Sequence, residues 1–450
     1  IRTNRVGSRE DAIAAFEALY GLGELFWGDR RLLWMPRTDL RNALAAAGTF
    51  VNKNHFCGFV GMAFLLAIGA WLGARGARGE SAAPGPPGTW RTQLAVAVST
   101  PRGLGRAFLV VALVLLAFGV LFSLSRAGVV LVLLSTAALM VWSAAERGMR
   151  TRSLALLVGG VGIAALAAGI GLGPLASRFQ SVAVGDDTSL AERILMVRMG
   201  FQYLMDYPLL GSGVGTCKWV VFGYQGAFFG DIWVDYLHND WLQIACEAGI
   251  VGLLMAVGAA IAVVVEVAKA SNRMQDASRR WIARGALAAT GYMLLHSFFD
   301  FNLSKITSNG LLFAALVGLA LGSTSPSNGE EEGRKKALLV LPLRTVWTRS
   351  GMAIVGVLVF ASLVPTCWSH ARADYNLGLY LRSVGRAGPY YLPLWPDKQR
   401  SVNRTTGRRA LDKALELTPD HAMTHYWKGR DTLQAARADT RQAARERIAE

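Results

Sequence analysis

The residues able to do chemistry in this chain stand at the borders of long apolar runs. His238 opens the segment HNDWLQIACEAGIVG, and an imidazole with an ordinary pKa of about 6.5 can accept a proton near neutral pH. Asn239 and Asp240 follow it and suit a helix cap, because short polar side chains satisfy the first free N–H groups. An isolated histidine there reads as an interfacial residue beside that cap. Arg126, in FSLSRAGVVLVLL, lies between two apolar blocks. A charge so near hydrocarbon is costly and points to function, with a snorkelling arginine as the plain alternative. His296 and Asp300, in HSFFDFNLSKITSN, are one helical turn apart and can share a face. Together these types offer proton transfer and, through guanidinium, the holding of an anion by paired hydrogen bonds.

Other chemistries find less support. His238 and Asp240 do not make a metal pair, since no further His or carboxylate stands at metal spacing. Cys57, Cys217, Cys246 and Cys367 show neither CxxC nor a disulfide framework. GSGVG at 211–215 follows a helical stretch, so it reads as a turn rather than a phosphate loop. No metal or cofactor is expected. The formal charge of +16 could serve nucleic acid, but the placement of the positive residues argues for membrane topology instead.

The elements that position these residues are membrane helices. The chain of 450 residues is 52% hydrophobic, with a mean hydropathy of +0.32, and the excess is gathered in eight blocks near 56–74, 107–125, 127–145, 153–175, 241–267, 282–299, 306–322 and 351–368. Each approaches the ~20 residues that cross a ~30 Å hydrocarbon core as a helix, the form that satisfies the backbone within lipid. Arginines at 75, 78, 91, 102 and 106, at 147, 150 and 152, and the basic runs at 269–280 and 334–349 then fall on alternate sides, as cytoplasmic loops require. Residues 1–55, the loop 176–237, the connection near 300 and the tail from 370 are placed outside the cytoplasm. Because the chain starts at Ile1 without a signal-peptide pattern, upstream residues are expected to be missing. Pro/Gly/Ser-rich linkers occupy 79–90 and 323–336. The domains are therefore an N-terminal segment 1–55, a membrane domain 56–370, and a soluble helical domain 371–450. Within the last, ALDKALELTPDHAMTHYWKG matches about one and a half tetratricopeptide repeats; a generic helical hairpin is the alternative.

The spacing of His238 and Asn239, nine residues, Gly249, two residues, Gly252 resembles the signature of the bacterial O-antigen ligase and polymerase family of lipid-linked oligosaccharide transferases. The upstream stretch LAERILMVRMGFQYLMDYPLLGSGVG resembles the segment that precedes that histidine in the family and carries over Arg193, with Arg198 further along. Val197, Thr216 and Cys217 depart from the family pattern. Arg126 matches the family's Ser-Arg-Gly-Gly element, with Ala127 in place of the first glycine. GTFVNKNHFCGFVGMAFLL resembles the entry to the first core helix, matching Asn52, Asn54, His55 and Gly58, with Lys53 at a position often basic. The element holding His296 and Asp300 matches as well. The resemblance spans about 48–322 in the right order and turns His238 from a structural residue into a candidate base.

The resemblance implies an all-α, polytopic membrane bundle of the GT-C glycosyltransferase type. It implies transfer of a glycan from undecaprenyl diphosphate to an acceptor hydroxyl at the periplasmic face of the bacterial inner membrane, with no metal or cofactor. His238 would act as base and Arg126 and Arg193 would hold the diphosphate. Arg198, Asn239, Asn54, His55, His296 and Asp300 would bind substrate or line the cavity. Acceptors open to the family are a lipid A core, a growing glycan and protein, so ligase, polymerase and protein O-oligosaccharyltransferase all stand. Outside that class, a transporter or scaffold would show inverted repeats or broken helices in matching halves, and the sequence displays neither. Membrane lipids, and a protein partner on the helical tail, complete the expected partners; nucleic acid is excluded.

Overall fold

The computed structural model describes residues 2–27, 31–32, 35–36, 45–74, 101–146, 156–160, 162, 177, 180, 188–225, 234–324, 369, 372–373, 375–381, 383, 403–419, 424–425, 427–432 and 435. Helix α1 (Arg2–Trp27) precedes a two-residue antiparallel ladder, β1 (Arg31–Leu32) with β2 (Met35–Pro36). Helices α2 (Lys53–Gly73), α3 (Pro101–Phe122) and α4 (Arg126–Ala144) follow. Then come α5 (Thr188–Asp206), the short α6 (Cys217–Val220) with a 3₁₀ turn at Val221–Tyr224, α7 (Asp240–Arg273), α8 (Ala277–His296) and α9 (Thr307–Thr324). All of these belong to one compact unit, Ile1–Pro36 with Leu40–Asn328. The protein is a polytopic helical membrane protein: among the described residues four helices, in α2, α3, α4 and α7, are long and apolar enough to cross a bilayer, and α9 is a shorter apolar helix.

Helix α2 is apolar on every side, the pattern of a helix meant for burial, and 78% of its most apolar window is buried against 6% for α7. So α2 is the centre of the bundle, and α7 leaves most of its apolar surface uncovered by protein. Against α2 packs α8, which carries Arg279, Arg280 and Arg284 and is not a candidate span for that reason. The two backbones touch: a Cβ on Gly69 would lie 2.7 Å from the Cα of Gly285, an approach that only small residues allow. Helix α1, within the stretch 1–55, buries Ala14, Ala18 and Leu22 in the same core as α2 and α3. The apolar blocks near 153–175 and 351–368 lie mostly or wholly outside the described residues, as do both linkers over nearly all their length.

Helix α7 differs from the uniform helix that its composition predicts. It is broken at Gly249, where φ is 68° and ψ −174°, a region that costs an L side chain dearly. The groups freed by the break are taken by the turn after α5. Ser212 N donates to Cys246 O (3.1 Å), Gly213 N to Glu247 O (2.9 Å), Ile250 N to Pro208 O (2.9 Å) and Val251 N to Leu209 O (3.3 Å). A Cβ on Gly249 would stand 2.0 Å from Leu209 O, and one on Gly211 2.2 Å from Glu247 C. Gly249 therefore serves contact with the Pro208–Gly213 turn. Glu247 adds a further tie, accepting from Gly215 N (2.8 Å) and Cys217 N (3.0 Å).

The second unit, Arg37–Asp39 with Gly329–Glu450, contains α10 (Arg404–Leu417), capped by the Asn403 carboxamide accepting from Thr406 N. Leu377, Tyr380, Leu381 and Leu411 form its described core, with Trp427 against them. Arg408 Nε donates to Asp431 at 2.7 Å, and the Tyr380 hydroxyl donates to the same carboxylate at 3.3 Å.

Candidate active site

Four segments far apart in sequence meet at one buried carboxylate. Asp300, 0% exposed, follows the end of α8, where the helix stops at His296 and Ser297 caps it. Its Oδ1 accepts from His238 Nδ1 at 2.9 Å, its Oδ2 accepts from Asn54 Nδ2 at 2.9 Å, and the Phe301 amide donates to Oδ1 at 3.0 Å. Arg193 Nη2 lies 3.5 Å from Oδ2, and His55 Nε2 3.5 Å from Oδ1. Burial pushes this carboxyl up, but the His238 and His55 imidazoles beside it outweigh burial and hold it well below the usual carboxylate range. An ionised carboxylate only accepts, so His238 donates through Nδ1–H and, when neutral, keeps its lone pair on Nε2.

Local structure explains how each group arrives. Asn52 caps α2 by accepting from Asn54 N at 2.8 Å, which sets Asn54 and His55 in the first turn of the central helix. Asn239 caps α7 by accepting from Leu242 N at 3.0 Å, leaving His238 just outside the helix with φ 50°. That left-handed backbone turns the imidazole toward Asp300, and strain of this kind gathers at functional sites. Asp240 is the first residue of α7 rather than its cap. Its carboxylate accepts from Leu303 N (2.9 Å) and Ser304 N (3.1 Å), while its own N–H donates to Ser297 O (2.8 Å). The 297–304 loop is thereby pinned to the start of α7.

Beside Asp300 opens a cleft lined by Lys53, Asn54, Arg126, Arg193 and His296, with Leu124 and Phe299 as apolar walls. Arg126 begins α4 directly after the Ser123–Ser125 turn, where Leu124 has φ 53°. The turn is held by Ser123 Oγ, which donates to Val120 O at 2.6 Å and accepts from Ser125 N at 3.2 Å. Gly128, the glycine after Ala127, lets α4 close on α2: a Cβ there would lie 2.4 Å from Cys57 Sγ. His296 is buried and its Nδ1 stands 3.1 Å from Asn302 Nδ2. Since an amide nitrogen only donates, His296 accepts there and carries its proton on Nε2. Asn309 Nδ2 joins this chain to Asn302 Oδ1 (3.0 Å) and His55 O (3.1 Å).

The structure thus brings together His238, Arg193, Asn54, His55 and Asp300, and sets Arg126 and His296 on the adjoining cleft. It does not bring in Arg198, which is exposed on α5, and the Asn239 carboxamide oxygen is committed to its cap. Sequence reading gave no site role to Lys53, a third cation of the cleft, or to Phe301, whose ring lies 4.4 Å from that of His238 and 4.8 Å from that of His55. The signal for Lys53 was its place beside Asn54; that for Phe301 was its place beside Asp300. Among the described residues no group of three His, Cys, Asp or Glu is arranged to hold a metal ion.

No curated protein matches the chain. Residues 111–257 match the family model described as O-antigen ligase, a range that takes in Arg126, Arg193 and His238 and stops short of Asp300. The protein is accordingly a multi-pass helical membrane protein with a region similar to the O-antigen ligase family, and that region supplies Arg126 and Arg193 to the cleft and His238 to Asp300.

Proposed function

We propose that the protein transfers a glycan from a polyprenyl diphosphate, undecaprenyl diphosphate in bacteria, to an acceptor hydroxyl at the extracytoplasmic face of the inner membrane. The observation that carries this reading is the convergence of His238, Arg193, Asn54 and His55 on buried Asp300, beside a cleft where Lys53, Arg126 and Arg193 supply positive charge. The acceptor oxygen attacks the anomeric carbon and gives its proton to His238 Nε2. The bond from that carbon to the diphosphate oxygen breaks, and the electron pair leaves with the diphosphate. The guanidiniums hold the anion by charge-assisted hydrogen bonds, which makes a metal unnecessary to the step. Asp300 is a positioning residue, fixing the tautomer and ring plane of His238.

The test supplies purified full-length protein with a defined lipid-linked glycan and identifies what carries the glycan afterward. The expected product is glycan on a lipid A core, with transfer undiminished by a metal chelator. Appearance of a longer lipid-linked polymer or of glycosylated protein would replace the ligase reading with the polymerase or the protein-transferase one. In the same assay His238→Ala should lower turnover by about 10²–10⁴-fold, the usual contribution of a general base. Full activity in that variant would refute the assignment.

A further inference from the structure

Helix α5 has two apolar faces, and only one of them is covered by protein. Met199 and Tyr203 are buried against Leu237, Leu242 and Cys246, and the packing is close: a Cβ on Gly200 would lie 2.5 Å from Leu242 Cδ2. On the other side Leu190, Ile194, Phe201 and Met205 are exposed, Phe201 by 57% and Met205 by 77%. At 100° per residue these four fall within about 60° of one another, so they form one continuous stripe. The stripe runs on into the turn, where Leu209, Leu210 and Val214 are 66%, 75% and 86% exposed. Gln202 and Arg198, also exposed, lie off it on the polar flank.

What covers the stripe follows from the geometry of α7. A straight helix of its length would measure about 51 Å at 1.5 Å per residue. Its first residue, however, donates to Ser297 O at the end of α8, and near its end Asn272 Oδ1 accepts from Arg284 Nη2 at 2.8 Å. Helix α8 is only about 30 Å long, so α7 turns at Gly249. Ile250–Arg273, about 36 Å, rises beside α8 to the level of Ser297, and Asp240–Ala248 then runs along that level. Helix α5 lies on this transverse stretch, with Cys246 Sγ donating to Gly200 O. The turn is bonded to Ile250 and Val251, which begin the exposed apolar length of α7 together with Leu254 and Met255. The bare stripe is thus continuous with the uncovered apolar surface of a candidate membrane span.

We propose that α5 and the turn that follows it form an in-plane membrane-surface element, with Leu190, Ile194, Phe201, Met205, Leu209 and Leu210 immersed at the boundary between acyl chains and headgroups. An amphipathic helix binds bilayers in this manner, through buried apolar area with polar side chains left at the surface. Arg193 lies on the flank of the same helix, so the cleft opens at the depth of the lipid phosphates.

The test places a nitroxide on the full chain in phosphatidylglycerol/phosphatidylcholine nanodiscs at Phe201→Cys, Met205→Cys, Leu210→Cys and, on the polar flank, Gln202→Cys, with the unsubstituted chain labelled in parallel. The ratio of collision with oxygen to collision with a water-soluble nickel chelate should be severalfold higher at 201, 205 and 210 than at 202. Equal chelate access at all four positions would put the stripe in water and overturn the proposal. Exclusion of both reagents from the stripe would show a protein cover, a second copy or another chain, and would overturn it equally. Because the substitutions themselves could shift the helix, the unsubstituted chain is also reconstituted with a photoactivatable phospholipid. Adducts should map to residues 201–214, and their absence there would count against the bilayer as partner.

Discussion

Two charge clusters stand at opposite ends of the same helices, and they are built to different ends. At the Glu146 end, Glu146 accepts from Arg284 Nη1 at 2.5 Å and from Arg280 Nη2 at 3.4 Å. The Arg284 guanidinium lies 4.3 Å from the ring of Trp142 and 4.7 Å from that of Trp281, and is only 3% exposed. Its Nη2 also donates to Asn272 Oδ1. Three elements, α4, α7 and α8, are stapled there through Arg284. At the His238 end, one buried carboxylate faces His238, His55 and Arg193. Lys53 and Arg126 line the cleft beside it, and of the two non-glycine residues with left-handed backbone among those described, Leu124 lines the cleft and His238 bonds the carboxylate. A staple pairs its charges and covers them with rings. A site gathers several cations on the wall of a cleft and accepts backbone strain to aim a side chain.

The sharpest way to break this comparison is to remove one partner at each end. Asp300→Asn should cut turnover by roughly 10²–10⁴-fold, on the scale of a misdirected general base, with a smaller change in donor KM and a shifted pH–rate profile. Arg284→Met should leave turnover per folded molecule unchanged and lower stability by about 1–3 kcal/mol, the cost of leaving a half-buried charged partner without its hydrogen bond, as read from unfolding in detergent. If the two variants gave the same pattern, the division into site and staple would be wrong. A smaller effect is expected at the cleft wall, where Arg126→Ala should weaken binding of the lipid-linked donor by about ten- to a hundredfold, the value of a charged hydrogen bond. Unchanged affinity would reduce Arg126 to a residue of topology.

Next in size is Gly249→Ala, which places a methyl 2.0 Å from Leu209 O at a positive φ. It should cost about 1–3 kcal/mol of stability and lower activity indirectly, by shifting α7 below His238. The smallest effect is one of pH. Asp300 is held below its ordinary value when folded, so its stabilising contribution is complete above the unfolded value of about 3.9. It is lost as pH falls below that point, because there the unfolded chain binds a proton that the folded one does not. Between pH 5 and pH 3 the wild type should therefore lose more melting temperature than Asp300→Asn. Equal losses would remove Asp300 from the acid response.

Legibility follows the range of the interaction. The apolar blocks at 56–74, 107–125 and 127–145 match α2, α3 and α4 within a few residues because a membrane helix satisfies its own backbone. Asn239 was legible as a cap, since a cap bonds within its own first turn. Arg126 was legible as a residue between two helices for the same local reason. The break at Gly249 was not, although its glycines stand in the motif. A helix gives up its bonds only where something else replaces them, and the replacing turn at Pro208–Gly213 lies some forty residues upstream. The two glycine-bearing segments, read separately as a signature and a turn, are one interlocked joint.

By itself the sequence determined an all-helical membrane chain, the residue types able to move a proton or hold an anion, and their positions at helix ends, because periodicity, capping and transfer into lipid act over a few neighbouring residues. Only the tertiary structure decided that Asp300 is the hub and that Asn54, Arg193 and His238, separated from it by up to 246 positions, meet there. It also decided that Arg198 faces away, that Lys53 joins the cleft, and that α5 carries a second apolar face bare of protein. Those outcomes depend on which helix packs against which. That is set by the glycine contacts of α2 with α8 and of α7 with its turn, and by the burial of one carboxylate that must find its partners inside the fold.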